Sequence, residues 1–351
     1  MDLSFFRQKK ILITGHTGFK GSWLVKLLDH LGAEVYGYAL APGTSPSLFE
    51  ELGLEKAMGD RSHIGDIRDL ERLKAVFSAV QPELVIHLAA QPIVRESYEH
   101  PVYTYETNVM GTVHLMECVR CTPSVRSVLN VTTDKVYENR ETGQAYKEDD
   151  RLDGYDPYSN SKSCSELVTH SYRQSFLNDL GIPVSTARAG NVIGGGDYAR
   201  DRIIPDCVRA ALKGEAIVLR NPYSIRPYQH VLEPLYVYLS ILEGQYLHPE
   251  LSGSYNVGPD AKDCISTGEI ADLFVKAWGR GLSWVSTAVK GPHEAGFLQL
   301  DNTKVKETFS WKPVWNVEKA VNSIVEYALS EDKEDCVRRQ IEAFLKEAAH
   351  V

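Results

Sequence analysis

Through the first half of the chain, short β-branched runs alternate with longer stretches of helical period. KKILITG (9–15) has the length and flanks of a buried strand, and GSWLVKLLDHLGA (21–33) spaces its apolar residues for a helix that stops at a glycine. The rhythm then repeats: EVYGYAL (34–40) reads as a strand, LERLKAVFSAVQP (70–82) as a helix and ELVIHLAA (83–90) as a strand. TYETNVMGTVHLMECVRC (104–121) reads as one long helix and VRSVLNVTT (125–133) as another strand. Strands separated by helices make βαβ units, so the expected fold is a doubly wound α/β (Rossmann) fold, a parallel sheet with helices on both faces.

Beyond about residue 190 the pattern loosens. GNVIGGGDYARDR (190–202) and RNPYSIRPYQH (220–230) are rich in Gly, Asn, Pro and Arg, which suits ligand-contacting loops. VLEPLYVYLSILEGQYL (231–247) reads as a helix, GSYNVGP (253–259) as a short strand and turn, and STGEIADLFVKAWG (266–279) as a helix capped by Ser266 with Glu269 at N3. The expected division is a dinucleotide-binding domain over 1–190 and a smaller, mainly substrate-binding lobe over 191–351, with 227–250 packing back on the first domain.

Composition narrows the function classes. A chain of 351 residues with 43% apolar content supports a large core and a second lobe, and a net charge of -9 lacks the basic footprint of a nucleic-acid binder. No segment is apolar enough to span a bilayer, and the charged N-terminus is unlike a secretory signal, so a cytoplasmic protein without a membrane partner is expected. The six cysteines do not form a disulfide framework, and Cys118 and Cys121 lack the second pair that a metal or redox site needs, so no metal is expected.

Candidate chemistry begins in ITGHTGFKGSWL, where Gly15, Gly18 and Gly21 follow the first strand at intervals of three and open the first helix. A dinucleotide pyrophosphate needs one glycine for the turn, one for close approach and one for helix packing, with helix N–H groups aimed at the anion. The acidic residue that usually meets the adenosine ribose at the end of the second strand has no counterpart in YGYAL, and no basic cluster for a 2′-phosphate stands nearby. NAD is therefore expected over NADP, and Asp66 and Ile67 in IGDIRD are candidates for the adenine edge.

Tyr158 and Lys162 in DPYSNSKSCSEL are spaced i, i+4 and share a helix face. A cation beside a phenol favours the phenolate, which makes the tyrosine usable as a general base. Upstream, NVTTDKVYEN places Asp134 and Lys135 directly after Thr133 at a strand end. Taken alone, such a pair is an ordinary surface ion pair of little energetic weight.

The glycine loop, HLAAQ, TNVMGT, TTDKVYEN and Y-x-x-x-K occur in one order at set intervals. That order resembles the extended short-chain dehydrogenase/reductase family, with its nucleotide-sugar epimerases and dehydratases, over nearly the whole chain. The resemblance implies that Thr133, Tyr158 and Lys162 act together on a sugar hydroxyl. It also implies that Gly15, Thr17, Gly18, Phe19, Gly21, Leu88, Ala89, Ala90 and Asn108 hold NAD together with the tyrosine and lysine. Dehydratases of the family carry an acid and a second group after the threonine, most often Asp-Glu. The Asp134-Lys135 pair, with GHTGFKGSWL, AGNVIGGGDYARDRIIPD and IRPYQHVLEPL, resembles the CDP-glucose 4,6-dehydratase branch. CDP-glucose is then the implied substrate, with Asn191, Arg202, Arg226 and Glu294 as candidate contacts and His230 equally compatible with a structural role. A homodimer or dimer of dimers is expected, packed through the helices carrying Tyr158 and Asn108.

Overall fold

The computed structural model describes residues 1–140, 143–287 and 298–350. Seven strands form the central sheet: β1 (Lys10–Thr14), β2 (Glu34–Ala39), β3 (Ser62–Ile64), β4 (Leu84–His87), β5 (Ser127–Val131), β6 (Val184–Ala189) and β7 (Ser254–Val257). Their order is β7-β6-β5-β4-β1-β2-β3, and every neighbouring pair is parallel. The order reverses between β1 and β4, and the crevice outside the carboxyl ends of these strands is where ligands enter such sheets.

Alternation along each strand distributes the core to both faces. Ile11, Ile13, Leu84, Ile86, Leu129 and Val131 pack with helix α1 (Phe19–His30) and the later helix at Leu232–Leu247. Leu12, Val85 and Val128 face the other way, onto α2 (Leu70–Val80) and α3 (Gly111–Arg120). Behind β5 and β6 lies α4 (Pro157–Tyr172), begun by an Asp156 cap and a proline at its first turn. After α5 (Ile203–Lys213) comes α6 (Leu232–Leu247), which stays with the first cluster. A third cluster joins α5 to α7 (Thr267–Trp278) and α8 (Val317–Leu329) as the smaller lobe. Ser266 and Glu269 form the expected capping box on α7.

Three differences from the sequence reading have physical causes. The long helix expected over 104–121 is interrupted by a π-helical turn at Glu106–Met110 that carries Asn108. Strand β6 hides in VSTARA because Ser185, Thr186 and Arg188 are buried polar residues, each hydrogen-bonded to a side chain brought from elsewhere. The short strand expected near residue 255 is β7, the seventh member of the main sheet. The central sheet thus takes residues from both sides of position 190, and α6 packs against it.

The buried side of α4 is polar throughout its middle: Ser161, Lys162, Ser165, Glu166 and Thr169. Asn108 donates to Ser161, Asn130 donates to both Ser165 and Thr169, and Glu166 accepts from Thr186 at 2.7 Å and from Arg188 at 2.9 Å. Glu166 and Arg188 are 2% and 3% exposed, so neither charge is offset by water. We expect Glu166→Ala to leave Arg188 buried without its counter-charge and to cost about 3–5 kcal/mol in urea unfolding, with Glu166→Leu/Arg188→Met recovering most of it.

Candidate active site

The glycine loop makes a turn that tolerates no side chain. At Gly15, with φ of 81°, an added Cβ would come within 2.8 Å of the Ala89 backbone nitrogen, and one at Gly21 would reach 2.1 Å from the Gly15 carbonyl oxygen. Gly18 caps α1 and differs: its Cβ would meet only the Gly15 oxygen, at 3.4 Å, and otherwise project into open cleft. A cradle left empty on its ligand side, at the start of a helix with free N–H groups, fits a dinucleotide pyrophosphate. The surrounding cavity of about 1630 Å³ is lined by Gly15, Thr17, Gly18, Phe19, Gly21, Asp66, Ile67, Leu88, Ala89 and Ala90. Asp66 is engaged by the Arg68 guanidinium, at 2.7 Å, which lowers its pKa.

Asn108 does not line this cleft. It is 1% exposed, and its carboxamide accepts from the Gln91 backbone nitrogen at 2.9 Å and donates to the Gln91 oxygen and to Ser161. The residue therefore fixes the loop after β4 against α4. Position 40, at the end of β2, holds a half-exposed leucine whose carbonyl accepts from Thr17, and the neighbouring cleft residues Thr44, Ser45 and Ser47 are uncharged.

At the carboxyl end of β5 the candidate residues Thr133 and Asp134 turn inward. Thr133 donates to Asp134 at 3.0 Å and is hydrogen-bonded to the Tyr158 phenol. Asp134 is 1% exposed and also receives Lys135 at 3.1 Å and Asn191 at 3.4 Å. Space for that carboxylate exists because residue 190 is glycine, where a Cβ would lie 1.8 Å from the Asp134 oxygen. Lys135 keeps 29% of its side chain exposed and faces the cleft. The Asp134-Lys135 pair is therefore no solvated surface pair: one partner is sealed in the wall and the other reaches the opening.

Burial dominates the titration of the neighbouring groups. Tyr158 is pushed up to about 12 by loss of solvent, a rise that the Thr133 hydrogen bond and Arg202 only partly oppose. The expectation that Lys162 lowers the phenol is not met in this state, because the ammonium donates to the Val131 carbonyl at 3.1 Å. Lys162 itself is drawn down to about 8 by burial, with Glu166 one turn further on pulling the other way. A second lysine, Lys20 of the glycine loop, is drawn down to about 7 by burial and by the positive charges of Arg202 and Lys162. The sequence reading passed over Lys20 because it occupies an ordinary helix position. Its ammonium lies 5.9 Å from the centre of the Tyr238 ring.

Of the candidate substrate contacts, Arg202 and Arg226 both line the cleft, Arg202 paired with Asp197 at 3.0 Å and Arg226 donating to the Ile225 carbonyl at 2.9 Å. Asn191 is joined to Asp134, so it braces the acid as well as facing the cleft. Glu294 lies outside the described residues. His230 proves structural: it is fully buried between Trp23 and Trp315, accepts from the Leu232 backbone and has its pKa lowered by burial to about 3. Sequence reasoning also missed Arg95 and Arg220 at the cleft wall, and Glu166, which the i, i+4 step from Lys162 could have flagged. Among the described residues no cluster of histidine, cysteine or acidic side chains could hold a metal ion, and Cys118 and Cys121 are unbridged.

A family model described as GDP-mannose 4,6 dehydratase matches residues 12–324. A CDP-glucose 4,6-dehydratase of Salmonella typhimurium strain LT2 is 45% identical, with 98% of each chain covered. The dTDP-glucose 4,6-dehydratase 1 of Escherichia coli K12 is 25% identical, with 92% of this chain and 94% of the relative covered. Among solved structures, a Bacillus anthracis dTDP-glucose 4,6-dehydratase in complex with NAD superposes with a TM-score of 0.74 at 22% identity, covering 94% of this chain and 99% of that one. A UDP-glucose 4-epimerase from Thermus thermophilus, also in complex with NAD, gives a TM-score of 0.77 at 24% identity, covering 92% and 99%. The epimerase and dehydratase superpose alike, so they establish the fold and leave the chemistry to the site. With a family match over most of its length, on the Tyr158-Lys162 helix and the glycine cradle just described, the chain belongs to the GDP-mannose 4,6 dehydratase family, within the extended short-chain dehydrogenases/reductases.

Proposed function

We propose that the chain dehydrates CDP-D-glucose to CDP-4-dehydro-6-deoxy-D-glucose, as a cytoplasmic NAD-dependent hydro-lyase of deoxysugar and surface-polysaccharide biosynthesis. The observation that carries this reading is the Asp134-Lys135 pair, joined through Thr133 to Tyr158. The name of the 45% identical relative supports the CDP-sugar, and the uncharged surroundings of Leu40 favour NAD over its 2′-phosphate form. Free cysteines throughout suit a reducing compartment, and no helix among the described residues is long and apolar enough to cross a membrane.

Bound NAD supplies the acceptor for the C4 hydride and the donor that returns it at C6, so the net change is loss of water. Tyr158 takes the 4-hydroxyl proton, with Thr133 orienting the reacting oxygen. Arg202 and a Lys162 turned from the Val131 carbonyl are the cations that draw the phenol down from its resting value. The 4-keto group then acidifies the C5 proton. Lys135 accepts that proton, and Asp134 protonates the departing C6 hydroxyl. The proton count closes within the pair: transfer from Lys135 to Asp134 across 3.1 Å creates a neutral amine and a carboxylic acid, and elimination restores the ionic pair. Lys135 then gives its proton back to C5 as hydride reaches C6. Thr133 touches both Asp134 and Tyr158, so it can return the proton held by the tyrosine to the acid.

A 4-epimerase of the same fold is the competing reading, and it has no use for the buried acid and its lysine. Incubation with NAD and CDP-, dTDP- and GDP-sugars, followed by mass analysis, separates the two: a product lighter by one water supports dehydration, and an isomer of unchanged mass overturns it. Lys135→Ala should retain C4 oxidation, seen as NADH absorbance, while dehydration falls by about 10²–10⁴-fold, the usual weight of a general base. Tyr158→Phe should lose both half-reactions, and a normal NADH burst in that variant would remove the tyrosine from its role.

Lys162 gives a prediction of opposite sign for stability. Its unfolded value near 10.5 exceeds the folded value of about 8, so folding disfavours the charged form by about 3 kcal/mol below pH 8, and the penalty is relieved as pH rises towards 10.5. Lys162→Met should therefore abolish turnover yet melt at a higher temperature at pH 7, with the gain shrinking above pH 8.

The subunit partner is proposed to be a second copy. Val102 and Met110, at 70% and 46% exposure, and Leu167 and Phe176, at 56% and 42%, present apolar surface on the two helical segments carrying Asn108 and Tyr158. Val102→Lys/Leu167→Lys should shift the sedimenting species from dimer to monomer, and an unchanged mass would place the interface elsewhere.

A further inference from the structure

Recognition of the base is the part of a CDP-sugar for which the reaction chemistry names no residue, and a site for it rests on the CDP-sugar reading. The cleft lined by Arg202 and Arg226 is also lined by a second charged group. Asp201 accepts from Arg220 at 2.7 Å and lies 3.5 Å from an Arg95 guanidinium nitrogen. Arg95 comes from the dinucleotide-binding half, on the short helix Val94–Glu99, whereas Asp201 and Arg220 flank α5 on the other half. All three line the cleft, and each leaves about a third of its side chain open, at 34%, 38% and 32% for Arg95, Asp201 and Arg220.

Neighbouring residues in this loop serve different ends of the cavity. Arg202 pairs with Asp197 and acts electrostatically on Tyr158, so it borders the reacting end. Asp201, with φ of 60°, is paired instead with Arg220. Beside Arg220, Val218 is 54% exposed and lines the same wall, offering apolar surface to a ring face. With the glucose at Tyr158 and the diphosphate at Arg202 and Arg226, the nucleoside is the part left to reach this group.

An acceptor beside a fork of donors is complementary to one pyrimidine edge. Cytosine donates from its N4 amine and accepts at N3 and O2. Uracil and thymine reverse the first two positions, so O4 would face a carboxylate and N3–H would face a guanidinium. We propose that Asp201 and Arg220 read the base, Asp201 accepting from the cytosine N4 amine and Arg220 donating to N3 and O2, with Arg95 orienting the carboxylate from across the cleft. A site built to hydrogen-bond one edge rejects the reversed edge because its own polar groups are left unpaired.

The test titrates CDP, UDP and dTDP calorimetrically into the NAD-loaded enzyme and into Asp201→Asn and Arg220→Lys, each checked for an intact melting transition. The wild-type protein should prefer CDP. In Asp201→Asn the amide can donate to O4, so the CDP-to-UDP affinity ratio should collapse by about 10- to 100-fold, the weight of a paired base edge. Arg220→Lys keeps the charge but loses the fork, and should lower the same ratio; it also supplies the answer if the asparagine variant does not fold. A ratio that stays at the wild-type value in a folded variant, including a uniform loss for all three nucleotides, overturns the proposal and leaves the group as an ion pair across the cleft. A wild-type protein without preference for CDP overturns the CDP-sugar reading itself.

Discussion

Glu166 and Arg188 meet at 2.9 Å with almost no solvent contact, and the reacting groups are built around that pair. Glu166 lies one helical turn beyond Lys162 and two beyond Tyr158, so fixing it fixes the rotation of α4. It also accepts from Thr132, the residue preceding Thr133, and from Thr186 on β6. Arg188 donates onward to Tyr137 and to the Glu148 carbonyl, and Tyr137 in turn donates to Asn256 on β7. One carboxylate therefore ties α4, the end of β5, β6 and, through Arg188 and Tyr137, β7. An apolar interface would tolerate a slip along the helix. Paired polar groups resist one, since any displacement leaves donors buried without partners.

The same dryness sets the state of the reacting groups. Four cations, Lys20, Lys135, Lys162 and Arg202, gather near one buried carboxylate, Asp134, with Asp197 holding the arginine. Burial lowers the pKa of Lys162, and at Lys20 the positive charges of Arg202 and Lys162 add to the effect of burial. Tyr158 is driven the other way and rests as the phenol. A site held in this condition favours ligands that bring compensating charge, which is the property expected of a pocket for a nucleotide diphosphate.

The parts legible in the sequence are those with local rules. Glycine spacing required a turn at Gly15 and Gly21, the i, i+4 step put Tyr158 and Lys162 on one face, and Ser266 with Glu269 marked a helix start; all three follow from backbone geometry within a few residues. What escaped depends on partners distant in sequence. Strand β6 went unread because its polar residues Ser185, Thr186 and Arg188 are buried only with Gln245, Glu166 and Tyr137 as partners from distant segments. Asn108 was expected to touch the cofactor but serves the Gln91 loop, a distinction decided by a π-helical turn that no period reveals. Lys20 became visible only when Arg202 and Asp134 were brought beside it.

Anchoring of the loop that follows β6 explains how two lobes can share one cleft. Gly195 and Gly196 pass so close to Tyr327 and Leu48 that a Cβ would come within 2.2 and 2.4 Å of them, and the next turn sends Tyr198 to Glu51 at 2.7 Å. Tyr327 of α8 donates to the same carboxylate, so a short helix beside the cofactor half, the substrate loop and the smaller lobe converge on one residue. Burial and these hydrogen bonds to Glu51 raise both phenols, Tyr198 and Tyr327, far above ordinary tyrosine, which keeps them donors at any physiological pH. Beyond that anchor the loop is held inside by Asp197-Arg202, whose carboxylate is buried, and outside by Asp201-Arg220, a charged pair that water can reach. Packing thus fixes where the loop starts, while exchangeable ion pairs form the surface a ligand meets. A segment rigid at its root and polar at its tip can accept an anionic nucleotide without disturbing the strand ends that carry Thr133 and Asp134.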